Sequence, residues 1–120
     1  KEDWKLNEII DYLKENLADS NTVRIHLGAN LSPFSAMTLA YVATQEKLKA
    51  IFAGYTLKTE EVLSFDVVIV KSGQNQGMFY SQAQAEELIQ ALDKNRFVRL
   101  PETFTLPDNS IVTVYKKTVR

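Results

Sequence analysis

The chain has 120 residues and a mass of 13.6 kDa, one domain's worth, and its 45% hydrophobic share excludes a disordered segment. Only four Gly and three Pro exclude a linker or fibre, and zero Cys with one His excludes disulfides, thiolate metal sites, Cys nucleophiles and His-rich clusters. Net charge is −1, no polyelectrolyte, and no apolar run approaches the ~20 residues of a membrane span.

Residues 3–18 read as a helix. Leu6, Ile9, Ile10, Leu13 and Leu17 follow helical spacing, with Trp4 at the head and Lys5, Glu8, Asp11, Lys14 and Glu15 on the other face. Asp19-Ser20-Asn21 stops it. Val23, Ile25 and Leu27 then alternate with Arg24 and His26, a strand. Gly28-Ala29-Asn30 leads to a second helix, with Ser32 expected as N-cap and Pro33 at its first position. Phe34, Met37, Tyr41, Thr44 and Leu48 line one face and Leu39, Ala40, Val42 and Ala43 widen it, so this helix is expected to be more buried than the first.

Residues 50–54 read as a second strand and 59–63 as a short helical turn. Val67-Val68-Ile69-Val70 is the strongest strand signal, a β-branched run suited to a central strand buried on both faces. A polar loop, Lys71 to Gly77, is expected next. Ser81 and Gln84 have capping-box spacing, and Ala85, Leu88, Ile89 and Leu92 give another amphipathic helix. Phe97-Val98 and Phe104-Thr105-Leu106 read as strand pieces, Pro107 to Ser110 as a turn, and Ile111 to Lys116 as the last strand. Strands alternating with helices predict an α/β fold. The expectation is a single soluble Rossmann-like three-layer sandwich over residues 1–120, its sheet mostly parallel and closed by a C-terminal antiparallel β-hairpin at an edge.

The loop after the first strand has one Gly where the dinucleotide fingerprint needs three, and no Walker loop is present. The loop after the central strand stands where open α/β sheets bind ligands. Asn30, Gln74, Asn75 and Gln76 are suited to hydrogen-bond sugar hydroxyls or an amide, and Tyr80 to stack on a ring. The plain alternative is a solvated polar loop. His26 has no Ser, Cys or acid at recognisable spacing, so a structural role is expected. The acids fall on exposed helix faces or turns, and Asp66 reads as a turn residue. No catalytic residue, metal site or cofactor is expected. The C-terminal stretch from residue 94 carries six Lys or Arg against two acids, but without an RNA-binding signature, so no nucleic acid is expected.

The segment Phe104 to Lys117, with Leu106-Pro107-Asp108-Asn109-Ser110 at its turn, resembles the close of a particular domain. That is the soluble C-terminal domain of bacterial polytopic membrane glycosyltransferases similar to dolichyl-phosphate-mannose protein mannosyltransferases. Trp4 with Ile9, Ile10 and Leu13 resembles the opening helix of those domains, Asn30 and Tyr41 its first loop and second helix, and Asp66 to Lys71 its central strand. Asn109 stands where the family's turn has Gly, a mild departure because Asn tolerates left-handed backbone. The resemblance implies an excised extracytoplasmic domain of a membrane-tethered parent. That parent moves sugar from a polyprenyl-phosphate carrier, and its catalytic acids lie between membrane helices that this chain lacks. The implied role is accessory, with the parent's membrane portion as partner and a glycan or protein acceptor as a second. Two further functions stay open: a small stand-alone enzyme such as a degenerate methyltransferase, and a protein-interaction module using exposed helix faces.

Overall fold

The elements are α1 (Leu6–Asn16), β1 (Val23–Leu27), α2 (Ala36–Gln45), β2 (Ala50–Ala53), α3 (Thr59–Val62), β3 (Val67–Ser72), α4 (Gln82–Lys94), β4 (Phe97–Thr105) and β5 (Ile111–Lys117). They come from a computed structural model that describes residues 2–17, 22–29, 31–54, 58–73 and 82–118. α1 buries Ile9, Ile10, Leu13 and Tyr12, the face its spacing predicts plus one aromatic. None of the helices among the described residues is long and apolar enough to cross a membrane.

α2 departs from expectation twice. Its N-cap is Ser35, not Ser32: Ser35 Oγ accepts from the Thr38 amide at 3.3 Å, and the Ser35 amide donates to Thr38 Oγ1 at 2.9 Å. Ser32 and Pro33 instead occupy a tight turn, with the amides and carbonyls of Leu31 and Phe34 exchanging bonds at 3.0 Å. That turn drives Phe34 into the core, fully buried and 6.4 Å from the Trp4 ring. The second departure is rotational. Leu39, Val42 and Ala43 form the buried face, while Met37 and Tyr41 point outward. With apolar residues nearly all round, periodicity alone does not choose the face.

The sheet order is β2-β1-β3-β5-β4. β1 pairs in parallel with β2 and β3, and β5 pairs antiparallel with β3 and β4. The sheet is therefore mixed, and its parallel pairings are confined to the β2-β1-β3 half. The hairpin does not simply extend an edge. Its short turn forces β5 antiparallel to β4, and Val112, Val114 and Tyr115, buried on both faces, take β5 inside while β4 becomes the edge. The two expected strand pieces at 97–98 and 104–106 are one long β4, whose register breaks between Arg99 and Thr103.

β3 occupies the middle, with Val67 to Lys71 all buried. Ile25, Leu27, Val67, Ile69, Val112 and Val114 pack with α1 and α2 on one side. Val68, Val70, Phe97 and Tyr115 pack with Val62, Phe65, Ala85 and Leu92 of the α3 and α4 side on the other. Alternation along the strands thus feeds two apolar layers, giving helix, sheet and helix layers.

Candidate functional site

β1 and β3 end side by side, the Gly28 amide donating to the Ile69 carbonyl at 3.0 Å. From β1 the chain moves outward to β2, then returns past β1 to β3, so the strand order reverses between β1 and β3. Ligands of open α/β sheets gather beyond the carboxyl ends at such a reversal. The loops following these strands contain the ligand candidates Asn30, Gln74, Asn75, Gln76 and Tyr80. All five lie outside the described residues, as does Ser81.

β3 continues further than its hydropathy suggests. Lys71, expected in the polar loop, belongs to the strand and is fully buried. Its Nζ lies 2.9 Å from Asp108 Oδ2, in the turn between β4 and β5. The other carboxylate oxygen, Oδ1, accepts from the Ser110 hydroxyl at 2.5 Å and the Ser110 amide at 3.1 Å. Leu106 and Ser110 close the turn by a backbone bond of 2.9 Å, and Asn109 sits in the left-handed region at φ 69. An Asn fits there because its short polar side chain tolerates that backbone.

Burial alone pushes the pKa of Asp108 up, but the bonds from Ser110 and the Lys71 ammonium outweigh it and hold the carboxyl below its ordinary value. Such a carboxylate is locked in the charged state and makes a poor general acid or base. Gly73, just beyond Lys71, has φ +141, and a Cβ there would fall 2.8 Å from the Ser110 Cβ. Only glycine allows the strand exit and the turn to approach this closely.

His26, the single imidazole, is buried and packs edge-on against Phe65 with ring centroids 5.5 Å apart. Asp66, just before β3, accepts from the Arg24 amide at 2.8 Å. Among the described residues, no group of three His, Asp or Glu converges as a metal-binding set.

Among the described residues, two clefts open on the α1–α2 side. One of about 450 Å³ lies between the start of α2 and β2, with Ser32, Ser35, Met37, Ala40, Phe52 and Gly54 among its walls. The other, about 540 Å³, lies between α1 and β4 and is lined by Glu8, Asp11, Glu15 and Glu102 around Tyr12. Among its described lining residues, neither joins a nucleophile to a base.

Sequence reasoning missed the Lys71–Asp108 pair. The available signal was a lone Lys ending a β-branched run, paired with an Asp-Asn-Ser turn that needs a cation. It also missed the exposure of Met37 and Tyr41. Comparison with protein-family models, with curated proteins and with solved structures found no significant match to this chain.

Proposed function

We propose that this is a non-catalytic accessory domain of a membrane glycosyltransferase that uses a polyprenyl-phosphate sugar donor. Its role is to position the acceptor or a partner beside the transfer site. One observation carries this reading: the segments bearing the family resemblance meet. Asp66 to Lys71 runs along β3, Phe104 to Lys117 spans the hairpin, and Lys71 holds Asp108 of the Leu-Pro-Asp-Asn-Ser turn at 2.9 Å. A signature built from residues that lock the fold, without converging catalytic groups among the described residues, suits a domain that binds. Sugar transfer needs a base for the acceptor and a cationic or metal clamp for the leaving phosphate.

On this reading the architecture is a Rossmann-like variant. The domain is tethered on the extracytoplasmic side by the membrane portion of its parent chain, its first partner. A glycan or protein acceptor is the second partner, with no cofactor and no nucleic acid. The test assays three proteins with a polyprenyl-phosphate sugar: the purified domain, the full-length parent and the parent lacking this domain. The domain is expected to be inert and the truncated parent to lose activity. Turnover by the domain alone overturns the reading.

A stand-alone enzyme of degenerate methyltransferase type is favoured by one feature, the reversed β5 between β3 and β4. That reading requires saturable binding of a nucleotide-like cofactor. Absence of heat with S-adenosylmethionine or nucleotides in calorimetry removes it.

A further inference from the structure

β2 closes one edge of the sheet and β4 the other. β4 carries devices that discourage a further strand: Pro101, the charges Arg99 and Glu102, and a register break. The amide of Glu102 is already taken, donating to Tyr12 Oη at 3.1 Å. β2 reads Ala50-Ile51-Phe52-Ala53, with no charge, proline or bulge. The Val23 amide donates to the Lys49 carbonyl at 3.2 Å, so Lys49, Ile51 and Ala53 turn their backbone groups toward β1. By alternation the N–H and C=O groups of Ala50 and Phe52 face outward, and no described strand pairs with them.

The surroundings of this edge are apolar and open. Met37 is 81% exposed, Tyr41 65% and Ile51 59%. α2 has the all-round apolar composition of a helix covered on every side, yet it buries only Leu39, Val42 and Ala43. The cleft of about 450 Å³ beside Phe52 lies between that helix and the edge. Lys47 and Lys49 stand exposed at the start of β2 and form no ion pair with a described residue.

We propose that the β2 edge is a peptide-docking site. An extended segment of a partner protein adds to it as a further strand, with alternating apolar side chains and acidic residues beside Lys47 and Lys49. Main-chain bonds to Ala50 and Phe52 supply affinity, and alternate side chains supply selectivity. One apolar side chain enters the cleft by Phe52, and the next lies over Ile51 on the opposite face of the sheet. A lipid surface does not fit, because hydrocarbon leaves the backbone groups of an open edge without partners. A second copy fits less well, because two-fold pairing of β2 is antiparallel and sets the uncharged Ala53–Gly54 end beside Lys47 and Lys49, leaving the lysine charge uncompensated. An acidic segment neutralises it. The proposal does not depend on the glycosyltransferase reading.

The test uses the whole 120-residue chain, labelled with nitrogen-15, and two synthetic heptapeptides sharing a valine–threonine core, one ended by glutamates and one by lysines. The glutamate-ended peptide is expected to shift the Ala50 and Phe52 amides and slow their exchange. It should bind about fivefold tighter than its lysine-ended counterpart at low salt, and the gap should close as salt is added. Ala50→Pro removes an outward donor without touching the β1 ladder and is expected to abolish binding. If that variant fails to fold by circular dichroism, Ile51→Asp replaces it, at a side chain already open to water. It is expected to weaken the glutamate-ended peptide at least about fivefold by like-charge repulsion. Four results overturn the proposal. They are no response of these two amides, an unchanged response in the blocked variants, self-association that Ala50→Pro abolishes, and binding to phosphatidylglycerol vesicles in place of the peptide.

Discussion

β3 meets the two halves of the sheet unequally, sharing three register pairs with β1 on its parallel side and six with β5 on its antiparallel side. The parallel half cannot be closed by short turns. Each of its connections crosses over the sheet, and the helices α2 and α3 that make those crossings also cover its aliphatic side chains. In the antiparallel half α4 carries the chain from β3 to β4, one tight turn joins β4 to β5, and that turn is fastened to β3 by the Lys71–Asp108 pair. Helices cover both halves. The antiparallel half adds a longer ladder and a polar lock.

The largest effect is expected where the halves share a strand. Ile69 is fully buried, opposite Leu27 on one side and Val114 on the other. Ile69→Asp leaves an unpaired charge there and is expected to cost about 4 kcal/mol or more, unfolding much of the population. The same change at the exposed Ile51 of the β2 edge is expected to cost under about 1 kcal/mol. Urea denaturation of both variants checks the contrast, and similar losses would deny that β3 is the common centre.

Next comes the lock of the antiparallel half. Asp108→Ala takes the carboxylate away from the buried Lys71 ammonium and is expected to cost about 3 kcal/mol. Lys71→Met should cost less, because Asp108 is 19% exposed and keeps Ser110. The folded-state carboxyl titrates below its ordinary value of 3.8, so its contribution is complete above that pH and is lost as pH falls through the lower folded-state value. Urea midpoints measured from about pH 5 down to pH 2 should therefore fall in the wild type, with this share of the fall missing in Asp108→Ala.

The smallest expected effect is at the outer rim of that half. The Tyr12 hydroxyl accepts from the Glu102 amide at 3.1 Å where the β4 register breaks, and its ring meets Phe104 edge-on at 5.6 Å. Tyr12→Phe keeps the ring contact and loses the bond. It is expected to cost about 1 kcal/mol and to speed hydrogen exchange at Glu102. Unchanged exchange there would mean that the hydroxyl does not seal the break.

Much of the parallel half is legible in the residues themselves. The run Val67 to Val70 announces a buried strand, and the spacing of Ile9, Ile10 and Leu13 announces the face of α1. These signals are strong because one side chain period and one environment coincide. α2 is not legible in that way, since Met37 and Tyr41 share its apolar character with Leu39 and Val42. Its facing is set by which side meets the sheet. Lys71 was hidden for a different reason. A charged residue reads as solvated unless its partner is known, and that partner lies in a turn 37 residues later. The ligand candidates Asn30, Gln74, Asn75, Gln76 and Tyr80 rest on strand-end position in the sequence; the described fold shows the β1–β3 reversal, and the five residues lie outside it.

The buried amine of Lys71 also gives the chain an internal clock for covalent labelling. The other described lysines, among them Lys14, Lys47, Lys49, Lys58 and Lys94, meet solvent, whereas Lys71 is sealed beneath the hairpin turn. An amine-reactive reagent therefore modifies the exposed lysines in the folded molecule but reaches Lys71 only when the turn lifts or the sheet opens. Modification at that position, read by mass spectrometry, counts opening events one molecule at a time. Its rate measures how often the last strand lets go.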